Sequence, residues 1–154
     1  MAGQARYFSS IVLAASLVLA GAVVLSGSNA VAAQEPAKRS IRDGVYTDMQ
    51  ADRGEREYGR SCEHCHGASL EGNPAREVPP LVSDPFMRSW SGKNLRQLFE
   101  LLSRSMPADN RGGLSARTYT DLIAFLLRAN DVPAGSSVLP DGLAELEAIS
   151  IDKP

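Results

Sequence analysis

The chain has little of what usually builds or decorates a protein core. Of its 154 residues only 6% are aromatic, with one tryptophan, and there are two cysteines and two histidines. So few aromatics leave a modest apolar core, one that a cofactor with apolar surface of its own would enlarge. No run of lysine and arginine marks a nucleic-acid face, and no acidic tail marks a solvating segment. Sixteen cations nearly balance 18 acids, for a formal charge of -2. The carboxylates are scattered, so no general acid and base pair stands out. Sustained apolar–polar alternation is missing, as is any internal repeat, which argues against sheet-rich and solenoid classes. The length allows one domain, or a small one with tails.

The long apolar run lies at the start. Arg6 is the only charged residue among the first 33, ahead of an apolar stretch from Ile11 to Leu25 and the small residues SGSNAVAA. Ala30-Val31-Ala32 and Val31-Ala32-Ala33 both meet the small-x-small rule, so residues 1–33 read as a secretory signal peptide. The alternative is an uncleaved membrane anchor, because Phe8 to Leu25 gives 18 residues, just enough to span a bilayer. Both readings export the chain. Without residues 1–33 it carries 15 cations against 18 acids, a charge of -3.

Residues 34–47 are polar, contain Pro36 and Gly44, and read as a flexible arm. Helix formers return over Met49–Ser61, with Ala51, Gly54 and Tyr58 along one face. Seven glycines and prolines between 62 and 92 predict mostly loop. Lys93–Ser103 reads as an amphipathic helix with Leu95, Leu98, Phe99 and Leu102 inward and Ser91 as its cap. After an irregular stretch over 104–114, Ser115 caps the clearest helix, Ala116–Asn130, and a short helix is expected over Leu143–Ile149. The expected division is an arm at 34–47, a main domain at 48–132 and an extension at 133–154. The fold class is all-α, three to four short helices with loops long enough to imply wrapping around a ligand.

RSCEHCHGASLEG, residues 60–72, holds every cysteine and histidine of the chain. Cys62-Glu63-His64-Cys65-His66 is C-x-x-C-H, the pattern of covalent haem c attachment. Two thiols at this spacing can add to the two vinyl groups of one porphyrin, and the histidine after the second falls beneath the ring as proximal iron ligand. A thioredoxin-like dithiol would sit near a βαβ pattern, and no strands precede this one. A zinc site needs four converging ligands, and all the candidates lie within five residues, too short a span to close. His64, between the cysteines, is expected to face solvent.

A sixth iron ligand must come from elsewhere, and with His66 used and His64 misplaced, methionine is the remaining soft neutral donor. Met49 opens a helix, and Met87 sits in DPFMRSW beside Phe86 and Trp90, where it reads as packing. Met106 lies 40 residues after His66, directly before Pro107, in an irregular segment suited to presenting its sulfur. Met106 is therefore the expected distal ligand. A carbonyl in the Pro79-Pro80-Leu81 stretch is placed to accept the other N–H of His66, unless the prolines only reverse the chain. Trp90 has two readings, contact with the haem edge or a propionate, and plain burial.

Gly54 and Tyr58, then CEHCHG, VPPL, the SMP of Ser105 to Pro107 and the helix TYTDLIAFLLRAN together resemble a class I c-type cytochrome, in family order from about Met49 to Asn130. The resemblance implies crossed first and last helices, with Gly54 and Tyr58 against Tyr119 and Phe125. The run DVPAGSSVLPDGLAELEAISI further resembles the tail of cytochromes associated with quinoprotein (PQQ-dependent) dehydrogenases. The arm at 34–47 has no counterpart in the family. With export, the resemblance implies a periplasmic one-electron carrier, not an enzyme, taking electrons from a dehydrogenase and passing them to a terminal oxidase or another cytochrome. Its partners would be redox proteins and not nucleic acid, with membrane contact only through an uncleaved N-terminal segment. The alternatives are a haem subunit of a stable dehydrogenase complex, and an open-site haem enzyme or gas sensor if Met106 does not bind iron.

Overall fold

The computed structural model describes residues 35–152, and the signal-peptide reading of residues 1–33 lies outside them. The described residues belong to one compact unit. The described residues form six helices, α1 (Asp48–Ser61), α2 (Glu63–His66), α3 (Ser83–Trp90), α4 (Leu95–Ser105), α5 (Ala116–Ala129) and α6 (Leu143–Glu147). Two two-residue strands, β1 (Arg39–Ser40) and β2 (Ile149–Ser150), pair in parallel.

Local chemistry accounts for the helix starts. Thr47 and Gln50 form a reciprocal capping box at α1, and Asn94 and Gln97 form another at α4. The cap of α4 is thus Asn94 and not Ser91, because Asn94 is the residue with a glutamine three places on. Ser115 caps α5 through the Thr118 N–H, as expected. Helix α3 is a correction to the loop expected over 62–92. Its proline, Pro85, lies in the first turn, where its missing N–H breaks no helical bond, so Phe86 and Met87 are carried inward.

The main packing event is the crossing of α1 and α5. A Cβ on Gly54 would stand 1.9 Å from the Asp121 carbonyl oxygen and 2.9 Å from Phe125 Cβ. The helices therefore touch backbone to backbone at Gly54. Arg53 donates twice to the Asp121 carboxylate, at 2.7 Å each, and Arg128 reaches back to Asp52 and Glu55 at 2.6 and 2.7 Å. These pairs on either side of Gly54 hold the register of the crossing. Tyr58 packs on Phe125 with ring centroids 5.3 Å apart. Tyr119 packs against Phe99 with ring centroids 6.0 Å apart.

The termini are the second correction. From Arg39 on, the expected flexible arm is docked: β1 pairs with β2, and Ile41, Val45 and Tyr46 are buried with Leu139, Leu146, Ile149 and Ile151. Tyr46 donates to the Val132 carbonyl at 2.6 Å, and Gln50 both donates to and accepts from the Leu139 backbone. Arm and extension thus complete one core with residues 48–132. Short buried segments of this kind, three or four apolar residues among turns, present no helical or strand period to read.

Candidate functional site

The turn that carries both cysteines starts where α1 ends. The Cys62 N–H still bonds the Tyr58 carbonyl at 2.9 Å, and the Cys62 carbonyl then accepts from Cys65 and His66. α2 is a single turn that sets both thiols and the His66 imidazole on a tight loop. Tyr58 donates to the Gly67 carbonyl at 2.6 Å, fastening the exit of that loop to α1. The chain then doubles back. Gly72 donates to the His66 carbonyl at 2.8 Å, and Asn73 and Val78 exchange backbone bonds. Gly72 has φ +72, and a Cβ there would meet the Val78 carbonyl at 2.5 Å, so only glycine allows this approach.

The doubled-back strap brings Pro79 to the histidine. The Pro79 carbonyl lies 3.2 Å from His66 Nδ1, which donates to it when protonated there. That tautomer leaves Nε2 as the ring nitrogen with a lone pair for a ligand. His66 is 7% exposed. Burial lowers its pKa below the ordinary histidine value, against the opposing pull of the Pro79 carbonyl, so the neutral, metal-binding form is favoured. Burial likewise pushes the Cys62 thiol up to about 11, with Glu57 and Asp109 adding to it.

Cys62, Cys65, His66 and Met106 line one cavity of about 330 Å³. Its walls are largely apolar, from Val78, Leu81, Leu101, Leu102, Leu122 and Leu126. Met106 follows α4 directly, its N–H still bonded to the Leu102 carbonyl at 2.9 Å, and its own carbonyl accepts from Tyr119 at 2.8 Å. Of the described methionines it alone lines the cavity. Met49 is 71% exposed and Met87 is buried in α3.

Not every expected residue reaches the site. Pro79 lines the cavity and Pro80 does not. Trp90 is also outside it, packed on Phe86 at 6.4 Å with the Lys93 ammonium 4.6 Å from its ring centroid. His64 is exposed at the cavity rim. Two residues that the sequence offered only as helix constituents prove to hold the site's loops. Tyr119 fastens Met106, and Asn130 donates to the Leu81 carbonyl at 3.0 Å. An apolar-face count cannot distinguish a tyrosine that packs from one that also donates outward.

Two thiols, a neutral imidazole held by its outer nitrogen, a thioether sulfur and apolar walls suit a flat, largely apolar, iron-bearing group. The residues fit haem. Fold and crevice together define a c-type cytochrome, all-α and wrapped around its cofactor. Residues 49–126 match the family described as cytochrome C oxidase, cbb3-type, subunit III. The match spans half of the chain, which belongs to this family of cytochrome c domains. The cofactor is accordingly covalently bound haem c with its iron, and the role is that of a haem-c electron carrier. Comparison with curated proteins and with solved structures gave no match.

Proposed function

We propose that the chain is a periplasmic one-electron carrier in which Cys62 and Cys65 hold haem c covalently and His66 and Met106 are the iron's axial ligands. The observation that carries this reading is the convergence of those four side chains on one apolar cavity, although Met106 is 40 residues from His66. Bound haem iron supplies the one-electron step, ferric to ferrous and back. The protein's part is to keep that step cheap in reorganisation. Pro79 fixes the imidazole, Tyr119 and α4 fix the loop bearing Met106, and the leucine walls exclude water. A thioether ligand favours the reduced form and so raises the potential.

Export is inferred from the segment 1–33, with cleavage and anchoring as its two outcomes. Electrons would come from a dehydrogenase, a quinoprotein (PQQ-dependent) one if the likeness of the tail holds, and leave to a terminal oxidase or another cytochrome. Interfaces of such transient partners are small. The family's own description as an oxidase subunit favours a second reading, a haem subunit that stays within a larger complex. Purification from native membranes and periplasm separates the two. A free carrier is recovered alone from the periplasmic fraction and shows a reversible single-electron wave. Recovery only within a large complex would make it a fixed subunit, and absence of covalent haem, read by intact mass, would refute both.

A further inference from the structure

Pro79 and Pro80 have no N–H, so the part of the strap that faces His66 cannot be pinned by its own backbone donors. It is held from its ends. Val78 donates to the Asn73 carbonyl at 3.0 Å and Leu81 to the Leu70 carbonyl at 2.8 Å. A third tie comes from the last long helix. Asn130 Nδ2 donates to the Leu126 carbonyl at 2.8 Å, one turn back in α5, and to the Leu81 carbonyl at 3.0 Å. A leucine of similar shape would fill the same space. What leucine could not supply is the pair of donors that fastens the strap to α5.

We infer that Asn130 is a positioning residue for the proximal histidine, acting through Leu81 to hold the Pro79 carbonyl on His66 Nδ1. The inference rests on the proposed ligation of iron by His66. A histidine that donates firmly through Nδ1 is a more basic ligand and favours the ferric state. Loosening the strap weakens that donation, so the reduction potential should rise while the methionine side is untouched.

The test is Asn130→Leu in the full haem-loaded protein, with two readouts by nitrogen-15 NMR and redox titration. Exchange of the His66 Nδ1 proton with solvent should quicken about two- to tenfold, the factor corresponding to one ordinary hydrogen bond. The midpoint potential should become more positive, with the weak red sulfur-to-iron band of the oxidised protein retained. If exchange and potential both stay at the wild-type values, Asn130 is only a helix cap, whatever the melting temperature does, and the inference is overturned. Should the leucine variant not accumulate, Asn130→Ser carries the same two expectations. Failure of the ligation reading looks different. The wild-type protein itself would then show no iron-shifted imidazole resonances from His66, and the inference would fall with it.

Discussion

Gly54→Ala tests the crossing that forms one wall of the cofactor crevice. In an isolated helix this change stabilises by about 0.5–1 kcal/mol, because alanine loses less backbone entropy. In this protein the new methyl would lie 1.9 Å from the Asp121 carbonyl oxygen. Ordinary contact needs at least 3.4 Å, so α1 and α5 must part by roughly 1.5 Å at this point. Overpacking of a rigid core costs about 1–3 kcal/mol, and here the obstacle is backbone, which cannot rotate away. The parting also stretches the Arg53–Asp121 pair and pulls Tyr58 from Phe125. The expected net loss is about 2 kcal/mol, or a fall of about 4–12 °C in melting temperature for a domain of this size. Thermal unfolding of the haem-loaded protein, followed by circular dichroism, measures it. Since Tyr58, Leu122 and Leu126 line the crevice, solvent perturbation of the haem band should increase in parallel. A variant as stable as the wild type, or more so, would refute the close crossing.

The same packing sets the outcome of other perturbations. Leu146→Ala, at a position with no exposed surface, should cost about 2–5 kcal/mol in denaturant unfolding, although it lies in the tail. Arg128→Ala removes two solvent-exposed pairs and should cost about 0.5–1 kcal/mol, a loss that shrinks at high salt. Arg53→Ala should cost more, about 2 kcal/mol, because it strips both donors from a carboxylate that is 8% exposed. Tyr119→Phe frees the Met106 carbonyl. On the proposed Met106 ligation, added imidazole should then displace the methionine about two- to tenfold more readily in a spectroscopic titration.

Much of the site was legible in one dimension because its chemistry is packed into a few consecutive residues. The thiols and His66 lie within five positions, and the three long helices announce themselves by apolar spacing, the last also by its Ser115 cap, whereas the capping boxes at Thr47 and Asn94 emerge only from the structure. Elimination among the few soft donors singled out Met106, and the structure places that side chain in the cavity wall. The parts that were not legible depend on contacts far apart in sequence. Nothing in residues 34–47 says that Arg39 and Ser40 will pair with Ile149 and Ser150, 110 residues later. Proline in the sequence masked α3, because a helix tolerates Pro85 only in its first turn, and that boundary is known only once the helix is. Of two adjacent prolines, composition cannot say which carbonyl meets the histidine; the Gly72 turn and the Asn73–Val78 pair select Pro79. Trp90 had two readings, haem contact and plain burial, and the sequence could not choose between them. A lone tryptophan near a motif invites a functional role, yet here it covers Phe86 and carries Lys93 above it.

The central claim is that His66 and Met106 close both faces of the iron, leaving a carrier and not an open catalytic site. Absorption spectra of the purified, haem-loaded protein, oxidised and reduced, with and without carbon monoxide, test it most directly. The account predicts a c-type reduced spectrum that carbon monoxide leaves unchanged, and a weak red band in the oxidised form that Met106→Ala abolishes and Met87→Ala preserves. A reduced spectrum that shifts readily with carbon monoxide in the wild-type protein would contradict it, and would mean an iron with a free coordination position.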